Sequence, residues 1–226
     1  MSDPSTGAAP VPDFVYSPPD VPLSVLYADD HILIADKPAG LLSVPGRGED
    51  RTDCLINRLR VDYPSVLLVH RLDLDTSGVM VFALSKEAQS ALARQFQERE
   101  TKKIYLARVW GEMTAQKGQV DLPLIVDWPN RPKQHVNHET GKPAKTKWRA
   151  LEKGYGETRV RLMPVTGRSH QLRVHMAEIG HPILGDPLYA HEAARAHPRL
   201  MLHAYGLRLQ HPATGETMDF NAPCPF

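Results

Sequence analysis

In the stretch HRLDLDTSG, residues 70 to 78, a histidine, an arginine and two aspartates fall within six positions, directly before the apolar run GVMVFAL. Charge at the mouth of a strand that must be desolvated is costly unless it is paired or used. Asp73 and Asp75 are two residues apart, so an extended backbone would point them the same way, whereas a turn would not. A paired-carboxylate hydrolase is one chemistry that such residues can serve, although its two acids commonly come from distant parts of a chain. The other reading is a turn, with Asp75-Thr76-Ser77-Gly78 as its residues, and Asp75 fits it. For Asp73 the choice depends on whether a cation comes to meet it.

The cations for that meeting lie in TGRSHQLRVHMAEIGHPILGD, residues 166 to 186. Arg168 stands in a polar turn before a helix start, Arg173 and His175 lie on the helix, and His181 follows its end. A metal site built from His170, His175 and His181 would use spacings of five and six. Those do not repeat on one helix face as a pair at i, i+4 would, and no carboxylate cluster accompanies them. Capping and core hydrogen bonding are the plainer roles for His175 and His181.

The elements that must position these residues read as an α+β chain. HILIAD is a short strand stopped by Lys37-Pro38-Ala39-Gly40. Leu55, Ile56 and Leu59 carry helical spacing within 52–62. GVMVFAL is the next strand, and Ser85 N-caps a helix on which Ala88, Leu92 and Phe96 recur every four residues to about Glu100. KKIYLARVWG, TKWRALEK, ETRVRLMPV and RLMLHAYGLRLQHP are further strands. SHQLRVHMAEIG is a helix closed by Gly180. Residues 1 to 22 hold six prolines, few large apolar residues and only negative charge, and are expected to form a poorly ordered tail before a single domain over 23–226.

The net charge of +1 hides an uneven distribution. The first 30 residues hold five aspartates and no Lys or Arg, which leaves the remainder basic. From Arg131 to Arg149, six basic residues face one acid, Glu139. Stripes of this kind attract phosphate backbones, although they also occur as solvated loops. No run approaches the roughly 20 apolar residues of a membrane helix, so no membrane association is expected. Cys54 and Cys224 have no metal or redox spacing, which fits a reducing cytoplasm. Neither a dinucleotide fingerprint nor a P-loop is present.

Three segments together, HRLDLDTSG (70–78), KKIYLARVWG (102–111) and TGRSHQLRVHMAEIGHPILGD (166–186), resemble the signature motifs of the RluA family of RNA pseudouridine synthases, in that family's order and spacing. DKPAGLLSVPG (36–46) resembles its N-terminal motif, and the likeness runs from about Val25 to Phe226. The resemblance implies the pseudouridine synthase fold, a mixed and mainly antiparallel central sheet flanked by helices around a cleft. It also implies a reaction that breaks the uridine N–C glycosidic bond, turns the uracil over and rejoins it through carbon 5, with no cofactor. Many relatives carry an N-terminal S4 RNA-binding domain, which is expected to be absent here. DLPLIVDWPNRPKQ (121–134) resembles the small branch that gives the family its name, which modifies 23S ribosomal RNA and the anticodon stem-loops of transfer RNAs.

Residue by residue, Asp73 matches the family's catalytic aspartate, and Arg168 is matched to the arginine that keeps it ionised and oriented. Tyr105 matches the active-site tyrosine, Leu172 an apolar position that closes over the base, and Arg71 an arginine that touches RNA or fills the gap left by the extruded uridine. His70 is assigned only the orienting of its loop. Arg131, Lys133, Lys142, Lys145 and Lys147 form the expected RNA-gripping insertion, and the protein is expected to act as a monomer. Two other readings stand beside this one: a non-catalytic RNA-binding protein on the same fold, and a carboxylate-pair glycosidase unrelated to RNA.

Overall fold

The computed structural model describes residues 15–226. In chain order the elements are β1 (Ser24–Ala28), β2 (Ile32–Lys37), α1 (Leu55–Leu59), β3 (Leu67–Leu68), β4 (Ser77–Ala83), α2 (Lys86–Glu98), β5 (Lys102–Trp110), β6 (Lys117–Asp121), β7 (Leu124–Val126) and β8 (Gln134–Val136). There follow β9 (Lys145–Gly154), β10 (Glu157–Pro164), α3 (Gln171–Glu178), α4 (Glu192–Arg195), β11 (Leu202–Gln210) and β12 (Thr217–Asn221). One large sheet has the order β1-β2-β4-β11-β5-β10-β9-β6, with β3 beside β4 and β12 beside β11, while β7 and β8 form a separate hairpin. The β4–β11 pair is parallel and the others are antiparallel.

The period-two rule explains why β4 is apolar throughout. Val79, Val81 and Ala83 pack with Ile32, Ile34 and the α2 residues Ala88 and Leu92 on one face. Met80 and Phe82 pack with Leu33, Ala35 and the α1 residues Leu55, Ile56 and Leu59 on the other. The distal half of the sheet has one apolar face. Trp148, Val160 and Leu162 lie beneath Leu172 and Met176 of α3, while Lys147 and Arg149 alternate with them and are exposed. Tyr105 packs against the clusters of both halves. Helix α2 begins as read, with Ser85 Oγ accepting the Ala88 N–H at 3.1 Å, and ends at Arg99 in the left-handed region.

Of the expected acidic tail, residues 1–14 lie outside the described residues. Within the remainder, Tyr16 is fixed: its hydroxyl donates to the Asp53 carbonyl at 2.8 Å and accepts the Leu42 N–H at 3.0 Å. One phenol thus anchors a Pro-rich segment that has little else to bury.

Gly78 joins the Asp73 loop to β4. Its φ is +114°, and a Cβ there would fall 2.2 Å from the Ala204 carbonyl oxygen across the parallel pair. Gly78→Ala is expected to lower unfolding stability by roughly 2–5 kcal/mol, because backbone strain and overpacking act together. Urea unfolding reads this directly, and an unchanged midpoint would contradict the close approach.

Candidate active site

The loop over 70–76 is tied down on its inner side. The imidazole of His70 stacks on Phe96 of α2 with centroids 4.6 Å apart, and its Nε2 accepts the Val81 N–H at 3.1 Å. Burial, aided by the charge of Lys103, pushes His70 down to about 3, so the ring is neutral and free to accept. Ser43 Oγ donates to the Leu72 carbonyl at 2.8 Å and accepts the Leu72 N–H at 3.2 Å. The Leu74 carbonyl takes the Gly40 N–H and the ammonium of Lys37. Lys37 is fully buried and spends its three N–H bonds on the carbonyls of Pro38, Leu41 and Leu74. The 36–46 motif therefore fastens the Asp73 loop. Burial holds Lys37 down at about 7.

With its backbone held, Asp73 turns its carboxylate toward α3, where its partner is Arg173. Nη1 of that guanidinium lies 3.3 Å from Asp73 Oδ2. The opposite edge grips Asp186 in a fork, Nε to Oδ2 and Nη2 to Oδ1, both at 2.7 Å. Asp186 is fully buried and also accepts the N–H groups of Leu188 and Tyr189. Side-chain exposure rises along the relay, from 0% at Asp186 through 5% at Arg173 to 29% at Asp73. Burial opposes the charge on Arg173, but the hydrogen bonds and charge of Asp186, then the charge of Asp73, outweigh it and raise its pKa. A fork fixed on a buried acid presents its remaining N–H to the exposed acid with little freedom.

Two rings complete the surroundings. The Tyr189 hydroxyl accepts the Gln134 N–H at 2.8 Å and lies 2.7 Å from His170 Nδ1. Which of the two donates follows the imidazole tautomer, and the ring turns its other nitrogen, Nε2, toward Asp73. That atom lies 4.0 Å from Asp73 Oδ2. Burial lowers His170 even though Asp73 pulls the other way. Tyr105 is raised by burial and by the charge of Asp73, so its phenol stays neutral. Leu172 is buried beside Arg173 in the cluster against which Tyr105 packs.

The pairing of Asp73 with Arg168 does not hold. Arg168 is exposed, and its Nε donates to the Pro143 carbonyl at 3.2 Å. Its turn is closed by Gln171, whose Oε1 accepts the Arg168 N–H and the Thr166 hydroxyl, and this holds the Arg168 side chain outside. Arg173, named among the cations, and Asp186, at the end of the same motif, take its place. The three histidines considered as ligands are separately engaged: His175 with Thr146 and Leu122, His181 with the Trp110 carbonyl, and His170 as above. Arg71 is exposed two residues from Asp73.

The basic stripe is divided. Arg131 stacks on Trp128, 3.1 Å from the ring centroid, and Trp128 is 65% exposed. Arg131 and Lys133 lie in the β7–β8 hairpin and Lys142 bridges its β7 strand at Leu124, and Leu124, Val136, Ala144, Val174 and Tyr189 pin this unit to α3 beside the relay. Lys145 and Lys147 depart from the expected grip. Between them Thr146 bonds His175 and Gln171 of α3, so by the pleat alternation the two lysines project from the opposite face. Lys145 is also paired with Asp121 at 2.8 Å.

Chemically, the site offers one solvent-reachable carboxylate held by a fixed cation, with a neutral phenol near it. Asp75 is pushed toward protonation by burial, and Asp186 is consumed by its four N–H donors, so neither is a second acid across a sugar. The sequence profile of the family described as RNA pseudouridylate synthase matches residues 31–178. The chain is 58% identical to the dual-specificity RNA pseudouridine synthase RluA of Escherichia coli (strain K12), over 93% of this chain and 98% of that protein. It is 51% identical to the protein of the same name from Vibrio parahaemolyticus, over 93% and 87%. The solved structure of human RNA Pseudouridylate Synthase Domain Containing 1 superimposes with a TM-score of 0.74 at 31% identity, covering 96% of this chain and 87% of that one. A pseudouridine synthase sheet, a lone aspartate steadied by arginine, and this identity along nearly the whole chain place the protein among the RluA-type RNA pseudouridine synthases, isomerases that form pseudouridine within RNA.

Proposed function

We propose that this isomerase acts on uridines in both 23S ribosomal RNA and transfer RNA anticodon stem-loops, with Asp73 as its catalytic residue. The observation that carries the assignment is the relay Asp186–Arg173–Asp73, which aims one carboxylate outward. The reaction cleaves N1–C1′ and forms C5–C1′, with N1 gaining a proton and C5 losing one, so atoms and electrons balance without a redox partner. An anionic Asp73 serves either as nucleophile at C1′ or as base at C2′. Arg173 is a positioning residue, and Tyr105 stacks on the uracil within the cleft. Leu172 backs that ring, and Arg71 stands at the rim to take the place of the flipped nucleotide. Flipping costs a few kcal/mol and is offset by backbone contacts. Action as a monomer is part of the same proposal. Dual substrate choice is supported by the similarity to dual-specificity RNA pseudouridine synthases.

The test is tritium release from RNA carrying 5-tritiated uridine, using an anticodon hairpin and a ribosomal hairpin as separate substrates. Release from both is expected. Binding without release from either would favour the non-catalytic reading, and release from one alone would remove the dual specificity.

The hairpin cations supply the grip in this reading. Neutralising Arg131, Lys133 and Lys142 together is expected to weaken RNA binding and to flatten the log–log salt dependence by about 2, at roughly 0.7 per phosphate contact. Affinity unchanged at both low and high salt would remove the hairpin from the interface.

A further inference from the structure

The face of the distal sheet turned away from Asp73 carries a row of like charge. Across adjacent strands, Lys117 of β6 stands opposite Arg149 of β9, which stands opposite Arg161 of β10. The next row holds Gln119, Lys147 and Met163. Beyond these two rows the charges are paired: Asp121 with Lys145 on one side, and Glu152 with Arg159 and Glu157 with Arg108 on the other. The Lys117–Arg149–Arg161 row contains no acid, and none of the three is in an ion pair among the described residues. Arg161 Nε is buried with no hydrogen-bond partner there. Directly opposed like charges destabilise a sheet, so this row stands against the local pattern. Helix α2 covers only the other half of this side, over β3, β4 and β11. A shallow groove of about 420 Å³ remains open, lined by Lys117, Gln119, Lys147, Arg149 and Met163 among others.

We infer that the outer face of β6, β9 and β10 is a second RNA-binding surface, which holds the phosphate backbone of the substrate beyond the target stem-loop. The inference rests on the RNA-modifying activity above, which supplies a polyanion as the occupant. At sheet spacing the row spans about 10 Å, over which a nucleic-acid strand rising about 3.4 Å per residue presents roughly three phosphates. β6 is the last strand of the sheet order, so RNA leaving the cleft reaches this face by passing around that edge. A bare hairpin is therefore expected to stop short of this face, and a folded RNA with further helices to reach it.

The experiment compares an isolated anticodon hairpin with the full transfer RNA transcript, for the wild-type protein and for Lys117→Gln/Arg149→Gln/Arg161→Gln. The wild type is expected to bind the full transcript at least about tenfold tighter, with a salt slope steeper by about 2. The variant is expected to lose that advantage and to bind the hairpin as the wild type does. Hydroxyl-radical protections outside the anticodon arm should vanish with it. Should the triple variant melt early, Arg149→Gln alone, at an exposed position, is expected to lose part of the advantage. Equal wild-type binding of the two RNAs overturns the inference, as does a variant that keeps the advantage or loses hairpin and transcript binding equally. Displacement of the transcript by polyglutamate as readily as by RNA would assign the face to an acidic protein instead. Absence of tritium release by the wild type strikes the proposed substrates and leaves these binding arms readable.

Discussion

Asp73→Asn is expected to fold, to bind RNA as the wild type does, and to release tritium at least about 10⁴-fold more slowly, in line with the loss of a nucleophile or base from an otherwise intact site. That factor corresponds to about 5.5 kcal/mol of transition-state stabilisation. Asparagine has the shape of aspartate and still offers an oxygen to Arg173 Nη1, so the loop ties at Leu72 and Leu74 are untouched. What it lacks is the negative charge that both routes at the ribose require. The stability change should stay within about 1 kcal/mol, because Asp73 is partly solvent-screened and Arg173 keeps its fork on Asp186. Asp75→Asn is the control, since its carboxyl is already pushed toward neutrality by burial, and little rate loss is expected. Single-turnover tritium release at saturating protein separates chemistry from binding. An Asp73→Asn rate within tenfold of the wild type would end the assignment.

Much of this site was legible from alternation and position. β4 could be read because its apolar run is long enough to need cover on both faces, and α2 because its buried residues recur on one stripe. Asp73 stood out because a charge before such a strand needs a partner. The identity of the partner was not legible, since Arg168 and Arg173 are five residues apart in one motif. Periodicity does not choose between them, because Gln171 through Met176 are all buried, and a helix covered on every side shows no polar stripe. Only the fold places Asp186 beneath Arg173. Lys37 was hidden in the same way: at the end of an apolar strand it reads as a solvated stop signal, yet backbone carbonyls enclose it. The division of the basic stripe was within reach, because in KTKWR the lysines alternate with Thr146 and Trp148. Contiguity in sequence is not contiguity in space here, because the pleat sends Lys145 and Lys147 to the far side. The polar strands β6, β8 and β12 carried no such signal, since their burial comes from neighbours and not from their own side chains.

Removing the buried end of the relay is expected to damage fold and turnover together. Asp186→Ala leaves the guanidinium of Arg173, 5% exposed, with only the partly exposed Asp73 as counter-charge. Breaking a buried pair by deleting one partner costs about 3–5 kcal/mol, and for a domain of this size each kcal/mol lowers Tm by roughly 2–4 °C. A fall of about 10 °C is therefore the expected result. The N–H groups of Leu188 and Tyr189 lose their acceptor in the same change, which loosens the segment holding Tyr189 against His170. Arg173→Lys separates the two roles. A lysine retains charge beside Asp186 and should keep more of the stability, but it offers no planar fork and so cannot hold Asp186 while presenting a fixed donor to Asp73. Its kcat is expected to drop about 10²-fold, the cost of a misaligned reacting group, with KM for RNA nearly unchanged. A merely structural arginine predicts the opposite split, a lower Tm with normal kcat in the surviving fraction. Native Tm in Asp186→Ala, or wild-type kcat in Arg173→Lys, would show that Asp73 is aimed by something other than the buried fork.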